Sequence, residues 1–395
     1  MRLAIKAVCA ASRKLTWAIL ASLALVGVVA CASSVTKPRA EPWPTLATLA
    51  PPRAPDNNPS TPIKVELGRR LFYDGDLSFT GVMSCATCHE QKRGFSDPNK
   101  TRPGVFDDPG DRNIQTLANV GYFSSLTWGG PQVDILEHQA LIPIEGLKPV
   151  EMGFNRGPEG ALPQRLKDQA CYPQLFAAAF PEKQGEISMD TITKALAAFQ
   201  RSLVSLDSPY DRYRRGDAKA ISAQAKRGEA VFEAKQCSSC HAGAHFTDAA
   251  LPGVKPAEAF HALAPPKEGE ALKVDTGLHR ITQKVEDAYK FRTPGLRNVA
   301  VSAPYMHDGE AATLANAIRH HYAAAERQMD ERLKQTVSDA DVVDLVAFLE
   351  SLTDQGFITN PAFALPPSGC PVPTSAELQR EEANSARLHN SPPGP

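Results

Sequence analysis

The sequence predicts a mainly α-helical protein built from two tandem domains on one plan. Apolar residues recur at helical spacing in Ile192, Leu196, Phe199 and Leu203, and again in Val342, Leu345, Phe348 and Leu352. No long alternating strand pattern is present. Residues 112–130 (RNIQTLANVGYFSSLTWGG) and 291–309 (FRTPGLRNVAVSAPYMHDG) match at a constant offset of 179, pairing Leu117 with Leu296, Asn119 with Asn298, Val120 with Val299 and Gly130 with Gly309. Trp128 falls opposite His307 in this pairing. A length of 395 residues also suits two domains of about 150 residues each. With 43 basic and 44 acidic side chains the formal charge is −1, which argues against a nucleic-acid binder. At 42% hydrophobic and 22% charged the chain is not disordered. Aromatics make up only 7%, so something other than side chains is expected to help fill the core.

Taken in order, residues 1–30 read as an export signal. Arg2, Lys6, Arg13 and Lys14 precede an uncharged, mostly apolar run from Leu15 to Ala30. That run is short for a membrane span, which needs about 20 apolar residues. It ends Val28-Val29-Ala30-Cys31, resembling a bacterial lipoprotein signal. Cys31 would take the lipid; the alternative is an ordinary signal cleaved near Ala32. Residues 31–62 are expected to be a proline-rich tether. Residues 63–212 and 213–370 are expected to be the two domains, with the boundary in the polar stretch Ser208–Asp217, and residues 371–395 a disordered tail. Phe72 and Phe232 each follow a glycine, Gly68 and Gly228, by four residues in matching helix-like stretches. Asp190 is a candidate cap for the helix containing Ile192.

Cysteine spacing supplies the chemistry. Cys85-Ala-Thr-Cys88-His89 and Cys237-Ser-Ser-Cys240-His241 share the form C-x-x-C-H. Two cysteines on one turn reach the haem vinyl groups as thioethers, and the adjacent histidine turns to the iron. With 8 Cys and 10 His in the chain, chance predicts roughly 0.004 such strings. The rival reading is a four-thiolate zinc site or two redox disulfides. It does not require a histidine after each pair. Two covalent c-type haems are therefore expected. Cys171 and Cys370 are either a disulfide or two buried thiols.

The two haem sites are not expected to be equivalent. In the second half a helix from Thr313 reaches His320, His321 and Tyr322. Aligning Leu136 with Leu314 puts Pro143 opposite His321. The second iron is offered a ligand that the first is denied. Adjacent helical residues point about 100° apart, so at most one histidine faces the haem. His321 leads, with Tyr322 and Met306 as alternatives. His138, His245, His261, His279 and His389 read as ordinary polar residues.

From about Pro62 to Pro366 the chain resembles bacterial di-haem cytochrome c peroxidases, including MauG-like members. The resemblance is carried by LGRRLFYDGDLSFTGVMSCATCH, QALIP with PVEMG, CSSCH and FRTPGLRNVAVSAPYMHDG, in that order. It implies cytochrome c-like domains, with His89 at the peroxidatic haem and His241 at the electron-transfer haem. It also implies Gln139 and Glu151 in the first distal pocket, Trp128 between the haems, and Asn113, Ser302 and Pro304 at a calcium site between the domains. A carboxyl group within reach can move the proton that peroxide cleavage requires. Calcium suits oxygen ligands.

Departures from the family pattern are informative. Many members carry a histidine some sixteen residues after the first haem histidine, blocking the first iron until reduction. Here no histidine lies between His89 and His138. Trp128-Gly129-Gly130-Pro131 replaces the usual Trp-Asp-Gly-Arg, and Ser302 replaces the usual threonine. The segment between Pro143 and Glu151 is about two residues longer than usual. At the sixth-ligand position peroxidases have methionine and MauG has tyrosine; His321 is neither. The expectation is a periplasmic, lipid-anchored enzyme reducing hydrogen peroxide. Its electrons come from a small donor such as a c-type cytochrome or a cupredoxin, and a homodimer is allowed. The rivals are a MauG-like oxidase of a partner protein and a non-catalytic di-haem electron carrier.

Overall fold

The computed structural model describes residues 43–262, 275–322 and 334–367. The expected signal, Cys31, Cys370, His389 and the 371–395 tail lie outside the described residues. The described chain is helical, with helices α1 (Pro62–Tyr73), α2 (Cys85–Cys88), α3 (Leu136–Glu145), α4 (Ala161–Lys167), α5 (Tyr172–Ala179), α6 (Met189–Ser202), α7 (Pro209–Arg214), α8 (Ala223–Ala234), α9 (His279–Thr282), α10 (Leu314–Tyr322), α11 (Asp339–Glu350) and α12 (Gln355–Ile358). Strands β1 (Phe260–Ala262) and β2 (Lys290–Arg292) pair antiparallel, with His261 opposite Phe291.

Each half is built around one helix crossing. In the first, α1 meets α6 at Gly68, where a Cβ would lie 1.9 Å from Ala195 O and 2.9 Å from Phe199 Cβ. In the second, α8 meets α11 at Gly228, where a Cβ would lie 1.9 Å from Asp344 O and 2.7 Å from Phe348 Cβ. The aromatic one turn later closes each crossing: Phe72 packs on Phe199 (5.2 Å) and Phe232 on Phe348 (5.1 Å). The cap of α6 is a correction to the sequence reading. Ser188, not Asp190, accepts the Thr191 N–H, and Asp190 in the first turn pairs with Lys183 and Lys194. Serine at the N-cap reaches the N3 amide directly, and a carboxylate one turn in favours the helix dipole.

The repeat is visible in the backbone. Asn119 and Asn298 both sit in the left-handed region, at φ 61° and 59°, which asparagine tolerates better than most residues. Their amides donate to Leu203 O (2.8 Å) and Leu352 O (3.1 Å). Their side-chain oxygens accept from Ser205 N (2.7 Å) and Asp354 N (2.8 Å). The two constellations meet, because Asn298 Nδ2 donates to Ser205 Oγ (3.0 Å) and Ser205 Oγ to Asp354 Oδ2 (3.1 Å).

The two cores draw on residues from both sides of the polar stretch. Tyr210, on the first-half side of the expected 212/213 boundary, packs in the second core, whereas Phe357 and Phe363 return to the first. The polarity of Ser208–Asp217 comes from a short amphipathic helix, α7, capped by Ser208. Residues 43–61 are not a free tether either. Trp43 packs against the second core and Asn58 is fully buried. Prolines stop this segment from forming a helix, but its carbonyls and two side chains find partners on the body.

Replacing either crossing glycine tests this frame. Gly68→Ala and Gly228→Ala are expected to destabilise by about 3 kcal/mol, because the added methyl meets backbone rather than a movable side chain. Guanidinium unfolding midpoints of the holoprotein would measure it, and midpoints unchanged from wild type would refute the close approach.

Candidate functional site

In the first half, Ser84 opens the turn of α2 that carries Cys85 and Cys88, and His89 follows it. Nδ1–H of His89 donates to Phe95 O at 2.8 Å, leaving Nε2 free as a ligand atom. Burial lowers the His89 pKa, so the ring is neutral. Burial also pushes the Cys85 and Cys88 thiols up to about 12. None of the four motif cysteines is in a disulfide. Among the described residues the two pairs do not come together in one ligand cluster, which removes the four-thiolate zinc reading.

Glu151 and Gln139 sit on neighbouring segments. Glu151 follows the cis Lys148–Pro149 bond and is fixed by backbone bonds on both sides. Val105 N–H donates to Glu151 O (2.8 Å), Phe79 N–H to Met152 O (2.8 Å), and Met152 N–H to Pro143 O of α3 (2.8 Å). Burial, with Asp111 adding to it, raises the Glu151 carboxyl to about 7. Its charge is felt, as a minor effect, at both Cys85 and Cys88. Gln139 is half-buried on α3, and His138 beside it is exposed.

The second half forms a cavity of about 1620 Å³. Cys237, Cys240 and His241 line it from the turn after α8, and His321 lines it from α10. The rings of His241 and His321 are 6.3 Å apart, centre to centre. Two imidazoles on opposite sides of one metal ion, each bonded at about 2.0 Å, stand about 6 Å apart by ring centres. His241 Nδ1–H donates to Phe246 O (3.2 Å) and Pro294 O (3.1 Å), and His321 Nδ1–H to Ala317 O (2.8 Å). Both Nε2 atoms are therefore free. Burial, followed by the nearby His321, takes His241 down to about 4, and burial also lowers His321. These residues fit a c-type haem with two neutral nitrogen ligands. The alternatives have partners of their own: Tyr322 OH lies 3.8 Å from Cys237 Sγ, and His320 Nδ1 pairs with Glu310 at 2.7 Å. Met306 lines the same cavity from a backbone at φ 73°.

Trp128 joins the halves. Its Nε1–H donates to Asn113 O at 2.8 Å, its own carbonyl accepts Arg292 N–H at 2.9 Å, and it lines the second cavity. Asn113, Ser302 and Pro304 lie on that same wall. Asn113 Nδ2 donates to Asn99 O (3.3 Å) and Lys100 O (3.1 Å), while Ser302 Oγ donates to Val299 O (3.1 Å).

Some site residues escaped the sequence reading. Arg292 is buried on the cavity wall, where burial lowers its pKa to about 10. Its Nε has no hydrogen-bond partner, a donor free to meet a bound acid group. His261, read as ordinary, pairs with Asp248 at 2.6 Å on that wall. Only the FRTPG block, where Arg292 sits, carried any signal in sequence. Cys171 is disulfide-bonded, and its expected partner Cys370 lies outside the described residues.

Known proteins agree with this architecture. The family model described as di-haem cytochrome c peroxidase matches residues 62–219, and the one described as cytochrome c matches residues 225–353. Methylamine utilization protein MauG of Methylophilus methylotrophus is 37% identical over 308 residues, 76% of this chain and 85% of that protein. Cytochrome c551 peroxidase of Pseudomonas aeruginosa is 34% identical over 288 residues, covering 73% and 78%. A solved MauG-like protein associated with microbial copper homeostasis superposes with a TM-score of 0.74 at 36% identity, covering 80% of this chain and 97% of that one. With a helical cytochrome c unit in each half and a C-x-x-C-H motif in each unit, the chain belongs to the di-haem cytochrome c peroxidase and MauG family of haem-dependent oxidoreductases.

Proposed function

We propose that the chain reduces hydrogen peroxide to water in its first half, with electrons passed on from the second. The observation that carries this is an asymmetry. The imidazole of His321 stands 6.3 Å from that of His241, centre to centre, whereas the first half presents a buried carboxyl, Glu151, held near neutrality. His89 and His241 would each hold a haem iron, with His321 as the second ligand of the latter. When bound, the first haem supplies an open coordination position and the second supplies electron transfer.

Glu151 moves the proton. Its carboxylate takes a proton from one peroxide oxygen and returns it to the other, which leaves as water. Two electrons and two protons convert one peroxide to two waters. Gln139, one segment away on α3, orients the peroxide by hydrogen bonding. Trp128 is the crossing point between the halves, and a small donor such as a c-type cytochrome or a cupredoxin restores the electrons. The protein acts in the periplasm, held to a membrane by lipid on Cys31. A calcium ion at Asn113, Ser302 and Pro304 ties the domains together there.

A second reading, MauG-like oxidation of residues in a partner protein, has its own support. No histidine lies between His89 and His138 to block the first site, and the identity to the Methylophilus MauG, 37%, exceeds the 34% to the Pseudomonas peroxidase. A partner protein gaining a cross-link only when this chain and peroxide are present would select this reading.

Low-temperature EPR of the ferric protein before any reduction is expected to show one high-spin and one low-spin signal. His321→Ala should turn the low-spin signal high-spin and leave the other unchanged; two low-spin signals in the wild type would sink the reading. Glu151→Gln should slow the reaction with peroxide by about 10²–10⁴-fold. Because the carboxylate is the form that accepts the proton, the wild-type rate should rise with pH through about 7. Stopped-flow kinetics would measure both, and a flat profile in the wild type would remove Glu151 from the proton path.

A further inference from the structure

The segment that precedes α1 touches both halves, and both of its ends reach residues next to the candidate sites. At one end, Trp43 Nε1–H donates to Asp211 Oδ1 at 2.8 Å. Its ring meets Tyr210 edge-on at 5.6 Å and carries the Arg214 guanidinium at 4.2 Å. Asp211 is gripped by Arg297 through two bonds of 2.7 Å, and Arg297 Nε–H reaches Ala244 O at 2.7 Å. Ala244 lies in the loop that runs from His241 to Phe246, whose carbonyl holds the His241 ring. Three hydrogen-bonded steps thus connect Trp43 to the loop behind His241.

At the other end, Asn58 is completely buried. Its Nδ2 donates to Glu137 Oε1 at 2.6 Å and to Lys194 O at 3.0 Å, while its Oδ1 accepts from Lys64 Nζ at 3.4 Å. Glu137 is itself buried, and its other oxygen accepts from Arg201 Nη2 at 2.6 Å. Glu137 lies on α3 two residues before Gln139. Only an amide can give to a carboxylate and a carbonyl while accepting from an ammonium. Between the ends the segment has no slack. Tyr122 OH donates to Ala50 O (3.0 Å) and Arg201 Nε–H to Arg53 O (3.1 Å).

We infer that residues 43–58 are a positioning strap that ties α3 of the first site to the loop carrying His241, with Asn58 as the positioning residue for the turn that presents Gln139. This rests on the reading of Gln139 and Glu151 as the first distal pocket. The strap matters for chemistry because a displacement of the distal group by about 1 Å can cost about 10²-fold in rate.

Asn58→Ala and Trp43→Phe in the full holoprotein test it. Trp43→Phe keeps an aromatic ring and removes the bond to Asp211, so it should fold. Two readouts besides turnover are needed: amide exchange over residues 136–145, and cyanide affinity of the first ferric haem by optical titration. Asn58→Ala should speed exchange in α3, weaken cyanide by about five-fold and raise the peroxide KM more than it lowers kcat. Trp43→Phe, altered only in the second half, should move exchange and cyanide affinity the same way by a smaller factor. If Trp43→Phe leaves both unchanged, or Asn58→Ala lowers the unfolding midpoint with no selective change in α3, the strap is refuted. Faster α3 exchange with unaltered cyanide affinity would uphold the strap and overturn the pocket reading instead.

Discussion

Two exchanged main-chain hydrogen bonds hold the frame on which both sites depend. Asn113 N–H donates to His307 O at 2.7 Å, and Arg292 N–H donates to Trp128 O at 2.9 Å. Under the repeat these are one bond made twice, since Asn113 corresponds to Arg292 and Trp128 to His307. Each half lends an amide to the other's carbonyl. Backbone groups carry the bond, so the side chains at the four positions are free to differ. The first half uses that freedom for an indole against Asn113 O, and the second for an imidazole stacked at 3.7 Å on Phe291. A symmetric backbone thus supports asymmetric chemistry, and Trp128 reaches the wall of the second cavity because its own carbonyl is fixed there.

Burial then decides the charge state of each site, and neighbours decide whether burial wins. His241 and His321 lose their solvation, and the pull of Asp248 on His241 is too weak to offset it, so both are pushed toward the neutral form a metal requires. Glu151 is buried with another carboxylate, Asp111, in range, and its carboxyl rises to about 7. Asp211 is buried as well, yet the paired guanidinium of Arg297 overcomes the desolvation and holds it down at about 2. A carboxyl poised to exchange a proton and a carboxyl locked as an ion therefore arise from the same burial. The difference lies chiefly in Arg297, with hydrogen bonds from Trp43 and Ser208 adding to it.

What could be read from the residues was what is local or repeated. The C-x-x-C-H strings, the glycine-to-aromatic helix crossings and the 112–130 and 291–309 blocks each fit within one or two turns or recur, so the chain displays them twice. Helix geometry alone limited His320 and His321 to one facing side chain. What escaped depends on distant pairs: Asn58 with Glu137 and Lys194 across 79 and 136 positions, and Trp43 with Asp211 across 168. Proline content marked 43–61 correctly as non-helical. It carried no information on whether the carbonyls of such a segment meet water or protein. Likewise α7 looked like a linker because three of its six residues, Asp211, Arg212 and Arg214, are charged.

The same electrostatics bear on the proposed second ligand, His321. A tyrosine ligand acts through its phenolate, yet Tyr322 is pushed well above its ordinary pKa, first by burial and then by the sulfur of Cys237. This cavity resists a phenolate. A methionine thioether costs no charge, but it favours reduced iron and a high potential. An imidazole costs no charge either, and it is held here by a carbonyl of its own helix, Ala317 O, which fixes the tautomer and strengthens the free nitrogen as a donor. On the proposed function, the second haem would then sit at a lower potential than in a methionine-ligated relative. Its oxidised state would be easier to form and hold, while reduction by high-potential donors would be less favourable. That combination suits an enzyme that collects oxidising equivalents between encounters with its reductant.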